Sequence, residues 1–179
     1  QIQFTNYRSY RVLKHINPSW QELGEWHYTN LPTIHKPFND PVSLAEWRQL
    51  GYTHKLFTGE IYDMNNPEPP WMKLVRTALP WKYFSWSIHV MMPGRVLPEH
   101  GDTYITFKRV HNIKDTVNIH RALIFMENWQ SGHILEVNKA PVLNYKAGDY
   151  VVWKNDTLHL AANVGKTHRY SLQITGVIE

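Results

Sequence analysis

The hydrophobic pattern changes period once along the chain. Before Pro80, apolar residues recur at helical spacing in two places. Leu44, Trp47 and Leu50 follow Asp40-Pro41, with Ser43 and Glu46 at capping-box spacing and Gly51 as a stop. A second helix is predicted to open at Pro69-Pro70, to carry Trp71, Leu74, Val75 and Ala78 on one face, and to end at Pro80. Beyond Pro80 the period is 2. Trp86, Ile88, Val90 and Met92 share one face, and Ser85, Ser87 and His89 the other. Met92-Pro93-Gly94-Arg95 is a turn signal, and further strands are predicted over 104–110, 119–126, 134–137, 150–153 and 170–177. Short strands between Gly, Asn, Asp and Pro clusters predict a mainly β protein, an antiparallel sandwich or jelly roll with flanking N-terminal helices. One domain is expected, with 1–81 as a helical and irregular buttress and 82–179 as the β core.

Composition narrows the function. The 179 residues hold 24 aromatic side chains, enough apolar surface to exclude general disorder. No apolar run approaches the roughly 20 residues of a membrane-spanning helix, and no signal-peptide pattern opens the given sequence. With no cysteine, disulfides, thiolate metal sites and cysteine nucleophiles are excluded, and a reducing, cytoplasmic setting is the default expectation. A net charge of +4 could favour anionic partners, but the Lys and Arg are scattered rather than clustered. No G-x-S-x-G elbow or P-loop is present, so nucleophilic hydrolysis and nucleotide hydrolysis have no support.

The chemistry concentrates at His100-Gly101-Asp102. In an extended segment, residues two apart project to one side, which aims an imidazole and a carboxylate at one point, and a small Gly between them leaves room for a bend. With a distant His these make a 2-His-1-carboxylate facial triad, the set that leaves positions open on non-haem Fe(II). His159, after the Lys154-Asn155-Asp156 turn, is the third candidate. Ten residues on, Arg169 and Ser171 share one strand face, a guanidinium and a hydroxyl suited to holding a carboxylate. Taken singly, each feature has a plainer reading. His100 and Asp102 could flank a surface turn, and Arg169 could pair with a surface acid. His89 reads as a hydrogen-bonded structural histidine, Glu99 as solvent-facing, and Trp81, Trp86, Trp129 and Trp153 as core.

The order H-x-D, distal His, R-x-S resembles the Fe(II)- and 2-oxoglutarate-dependent oxygenases, over roughly Met92 to Gly176. Pro93-Gly94, the run from Ala147 to Trp153 and Ala162-Asn163-Val164-Gly165 are similar as well. The resemblance implies a double-stranded β-helix (a jelly roll of the cupin kind). It implies Fe(II) on His100, Asp102 and His159, with the distal carboxylate of 2-oxoglutarate on Arg169 and Ser171. It also implies O₂ as co-reactant, with succinate and CO₂ released as substrate is oxidised. Arg121 could reach the C1 carboxylate, as an arginine does in the aspartyl/asparaginyl β-hydroxylase branch, although that branch usually lacks the metal Asp. The prolyl hydroxylase branch is the other point of likeness. Tyr104 could offer a phenol to the cosubstrate, and Asn163 has similar standing. The nucleic-acid demethylase pattern R-x-N-x-T-x-R is not met from Arg169 onward, so a small molecule, amino acid or peptide side chain is the expected substrate rather than a nucleobase. Two other readings stay open: a cupin-like metalloenzyme that needs no 2-oxoglutarate, and a non-catalytic β-sandwich binding module.

Overall fold

The alternation after Pro80 becomes the walls of a barrel. The computed structural model describes residues 14–17, 19–114 and 118–179; the first thirteen residues of the expected N-terminal buttress lie outside the described residues. Its strands are β1 (Lys14–His15), β2 (Ile34–Pro37), β3 (Thr58–Asp63), β4 (Lys82–Met91), β5 (Arg95–His100), β6 (Ile119–Phe125), β7 (His133–Val137), β8 (Ala140–Pro141), β9 (Asp149–Lys154), β10 (His159–Asn163) and β11 (Arg169–Val177). Its α-helices are α1 (Pro41–Gln49), α2 (Met72–Ala78) and α3 (Ile105–His111). One antiparallel sheet has the order β1-β9-β6-β11-β4-β3-β2 and the other β5-β10-β7-β8. From β4 onward the chain alternates between the two sheets, except that β7 and β8 share one, which gives the jelly roll expected from periodicity and the double-stranded β-helix implied by the resemblance.

Each long strand has one face for each environment. Trp86 and Ile88 of β4, Ala122 and Ile124 of β6 and Leu172 and Ile174 of β11 are buried on the outer face of the larger sheet. They are covered there by Trp20, Tyr28 and Leu31, and by Trp71, Met72, Val75 and Leu79 of the α2 region. The inner faces carry a second apolar cluster, Leu123, Phe125, Leu135, Val137, Val151, Trp153 and Ala161, contributed by β6, β7, β9 and β10. Polar side chains of β11 lie beside it, with Ser171 the cross-strand partner of Phe125 and Gln173 that of Leu123. A third cluster, Leu44, Trp47 and Phe57, packs α1 beside β5. Gly148 closes the turn into β9 at φ +90°, and a Cβ there would lie 2.0 Å from the Ile16 carbonyl oxygen.

Three local expectations are corrected. The cap of α1 is Asp40, whose Oδ1 accepts from the Ser43 backbone N–H at 2.9 Å, so Ser43 sits inside the first turn rather than at the cap. The buried face of α2 is Trp71, Met72, Val75 and Leu79, and Ala78 is exposed. The strand expected over 104–110 is α3. Its β-branched residues, Ile105, Thr106 and Val110, suggested extended chain, but only Tyr104 and Phe107, three apart, are buried. Lys108, Arg109 and His111 complement the dipole of its last turn, and Asn112 ends it in the left-handed region at φ 51°. The N-terminal third also supplies β2 and β3, which extend the larger sheet beyond β4. Among the described residues, no helix is long and apolar enough to cross a membrane.

The helical assignment of α3 separates two residues that a strand would place on one face. Phe107 is 9% exposed and Ile105 58%. Phe107→Ala is expected to lower stability by about 3 kcal/mol and Ile105→Ala by less than about 0.5 kcal/mol. Urea denaturation measures both, and equal losses would contradict the helix.

Candidate metal centre

β5 and β10 pair antiparallel with His100 directly opposite His159. The register therefore sets the two imidazoles side by side, with ring centroids 4.3 Å apart. Asp102 follows two residues after β5 leaves the sheet. One ligand atom from each of His100, Asp102 and His159 lies within 4.8 Å of the others. Each histidine donates its Nδ1–H to a nearby carbonyl: His100 to Pro98 at 2.8 Å and His159 to Thr157 at 3.0 Å. A carbonyl only accepts, so both protons sit on Nδ1 and both Nε2 lone pairs are left for a ligand. Phe38 and Trp47 pack edge-on to the His100 ring, each at 5.4 Å, and Trp153 lies 4.9 Å from the His159 ring. Trp47 is itself held by Nε1–H donation to the Glu99 carbonyl at 3.2 Å. Gly101 does not have a left-handed φ, and an added Cβ would meet only Leu158 Cδ2, at 3.8 Å. The turn between the two candidate ligands thus has room for a side chain.

Burial sets the charge states. Desolvation holds His159 down at about 4 and also lowers His100, so both rings are neutral near pH 7. Burial alone would raise the Asp102 carboxyl. The Arg121 guanidinium, with the two histidines, outweighs it and keeps the carboxyl below its usual value. Two neutral imidazoles and a carboxylate form a donor set of the facial-triad kind, and it fits Fe(II).

The other expected site residues come to the same barrel in two places. Arg121, on β6, is buried. Its Nε donates to Asp102 Oδ2 at 3.1 Å, its Nη2 forms an ion pair with the same oxygen at 3.0 Å, and its Nη1 donates to Thr175 Oγ1 at 2.7 Å. The Tyr104 ring faces that guanidinium at 5.1 Å. The Tyr104 hydroxyl is buried without a well-aligned hydrogen bond, and its backbone is left-handed at φ 53°. Arg169 and Ser171 are buried on the inner face of β11, deeper in the barrel. Arg169 Nη1 donates to the Ile134 carbonyl at 3.2 Å. Its Nε and Nη2 are buried with no hydrogen-bond acceptor in alignment, although the Tyr145 phenol is near enough to offset part of the desolvation of the charge. Buried guanidinium donors left open are costly, and an anion would satisfy them. In this respect the residues fit a dicarboxylate cosubstrate. Asn163 has a different place: its amide donates to the Met91 and Thr167 carbonyls and its oxygen accepts from the Gly165 N–H, which ties the turn after β10.

Two concavities meet at the triad. An inner cavity of about 400 Å³ lies between the sheets and reaches His89, Met91, Gln173 and Leu97. An outer groove of about 850 Å³ is lined by Ser85, Ser87, Asp63, Asn65, Tyr104 and Thr106 among others. Phe38, Asn39, His100, Asp102 and Arg121 line both. Arg169 lines neither, and the Met91 sulfur, which borders the inner cavity, stands 4.0 Å from Arg169 Nη1. Sequence reading missed Thr175, Gln173 and Met91. Period 2 along β11 would have found the first two, since residues 169, 171, 173 and 175 share a face. His89 is half-buried with its Nε2 2.8 Å from Ser87 Oγ, as a structural histidine should be, and it also borders the inner cavity.

No family model matches the chain, and no curated protein matches it by sequence. Among solved structures it is similar to a prolyl-4-hydroxylase from Pseudomonas putida, with a TM-score of 0.51 and 14% identity over 82% of this chain and 92% of that one. It is also similar to a predicted oxalate decarboxylase from Thermotoga maritima (TM-score 0.42, 13% identity, 68% and 82% covered). A cupin 2 conserved barrel domain protein from Salinispora arenicola gives 0.40, 17% identity, and 66% and 75% covered. At such identities the likeness is one of fold.

His89 supplies a pH dependence of its own, beside that of the two triad histidines. Burial, followed by the Arg121 charge, lowers it from 6.5 to about 4. The unfolded chain accepts a proton below 6.5 and the folded chain resists it. Stability present above pH 6.5 is therefore lost as pH falls towards 4, by an amount on the order of 3 kcal/mol. His89→Gln should flatten the fall in urea midpoint between pH 7 and pH 4 in metal-free protein. Parallel profiles for the two proteins would contradict the assignment.

Proposed function

We propose that this chain is an Fe(II)- and 2-oxoglutarate-dependent oxygenase that hydroxylates a small molecule, an amino acid or a peptide side chain, releasing succinate and CO₂. The observation that carries the reading is a buried arginine with two unmatched donors, on the inner face of the barrel that also holds the His-Asp-His cluster. When bound, the metal would supply a centre at which 2-oxoglutarate and O₂ meet, the cosubstrate being oxidised and decarboxylated to furnish the oxidant.

The protein's own residues do the rest. His100 and His159 offer Nε2 lone pairs already oriented by the Pro98 and Thr157 carbonyls, so little entropy is lost on ligation. Asp102 brings the negative charge that a dication needs in a desolvated site. Arg169 and Ser171 hold the distal carboxylate of the cosubstrate by charge-assisted hydrogen bonds. Met91, with its flexible side chain, gives way as that carboxylate enters from the inner cavity. Phe38, Trp47 and Trp153 limit water beside the metal. Burial raises the Tyr104 phenol, which therefore stays protonated and donates. The substrate lies in the outer groove, where N-terminal residues such as Asn39, Asp63 and Asn65 shape specificity. Among the described residues that line the groove, the one Lys or Arg is Arg121, already paired to Asp102, which supports a substrate other than nucleic acid.

A second reading has one observation in its favour. Arg169 does not border the inner cavity, as would suit a cupin-like metalloenzyme that makes no use of 2-oxoglutarate and keeps this arginine as a structural cation. Arg169→Ala separates the two. An oxygenase loses 2-oxoglutarate affinity about a hundredfold or more while Mn(II) affinity stays within about twofold. Equal loss of both, or unchanged 2-oxoglutarate binding, favours the alternative. Asp102→Ala should in addition abolish iron-dependent succinate formation, and retained turnover would contradict the metal assignment.

A further inference from the structure

Asp102 lies in a stretch that no ladder holds. β5 ends at His100, residues 101–104 form no regular structure, and Tyr104 adopts a left-handed backbone before α3 begins. A carboxylate on such a stretch is free to rotate about its side-chain bonds unless something fixes it. Arg121 does so from the other sheet. Its strand β6 lies between β11 and β9, with Thr175 and Trp153 as its cross-strand partners, so its backbone is among the better anchored in the barrel. Nε and Nη2 converge on Oδ2 of Asp102, Nη1 is tied to Thr175 Oγ1, and the Tyr104 ring covers the guanidinium face. All three nitrogens are thereby committed to protein groups.

We infer that Arg121 is a positioning residue for the metal carboxylate, reaching from β6 to fix Oδ2 of Asp102, the oxygen that lies 3.8 Å from His159 Nε2, and so to orient the carboxylate toward the two imidazoles. This rests on the metal centre proposed above. It differs from the role that resemblance gave Arg121, because the guanidinium here turns its Nε and Nη2 edge to Asp102 and its Nη1 to Thr175. It also accounts for Thr175, whose hydroxyl fixes the guanidinium at Nη1 and so aims the remaining two nitrogens. Two imidazoles and one fixed carboxylate would leave further positions of a bound metal open, the condition for binding a chelating cosubstrate and O₂.

The test is Co(II) affinity, followed by the ligand-field spectrum of the bound ion without substrate or turnover. The wild-type chain should bind one Co(II); if it binds none, the metal-centre reading falls first, and this inference with it. Arg121→Gln should weaken Co(II) binding about 10- to 100-fold. Arg121→Lys should fall between the two, since an ammonium supplies the charge but not the fork. Thr175→Val, which removes only the Nη1 anchor, should show a smaller loss in the same direction, and it keeps the test open should Arg121→Gln fail to fold. In an Asp102→Asn background the Arg121→Gln change should cost no further Co(II) affinity, because the arginine acts through the carboxylate. Additive losses in that double variant would make Arg121 a general support of the fold and overturn the inference. So would unchanged Co(II) affinity in Arg121→Gln and Arg121→Lys with a selective loss of 2-oxoglutarate binding to the loaded protein.

Discussion

The site depends on one register. β5 and β10 meet with His100 opposite His159, and a slip of one residue in either strand would turn an imidazole to the other face of the sheet. Apolar and aromatic contacts on both sides resist such a slip. Trp47 and Phe38 enclose His100, while Val137 of β7 pairs with His159 on the far side of β10. The two Nδ1–H donations to Pro98 and Thr157 each reach back two residues along the same strand region, so the tautomer is set by local backbone and not by a distant partner. Geometry, tautomer and neutrality of the histidines thus come from the same short pairing.

Around that pairing the barrel interior is divided by chemistry. One part, on β6, β7 and β9, is filled with Leu123, Phe125, Leu135, Val137 and Val151, which stabilise the fold by burial. Beside it stand Arg121 with Asp102, His89 with Ser87, and Gln173, the cross-strand partner of Leu123. Arg121 and Asp102 neutralise each other. Arg169 is different, being buried without a matching acid, which is a costly arrangement for a purely structural residue. The cost is intelligible where a carboxylate ligand completes the pair.

Much of the core was legible in the sequence because its strands have two unlike environments. Alternation in β4 gave both faces correctly, Trp86 and Ile88 outward to the helices and Ser87 and His89 inward. The same period 2 placed Arg169 with Ser171, and the candidate triad was visible as a short motif plus one distant histidine. The edge strand β2 and its neighbour β3 were not legible, since Ile34–Pro37 and Thr58–Asp63 show no clean alternation and pair only in tertiary context. α3 was misread because its β-branched residues face solvent, where propensity and burial carry no common message. The Arg121–Asp102 contact joins a β6 residue to one 19 positions earlier in the irregular stretch after β5, and no spacing rule reports such a pair.

The most direct measurement is an anaerobic titration of the Fe(II)-loaded chain with 2-oxoglutarate, followed by visible absorption. Chelation of the cosubstrate at the metal predicts a saturable charge-transfer band that is missing in His100→Ala. Fe(II) bound without any band at saturating 2-oxoglutarate would contradict the account.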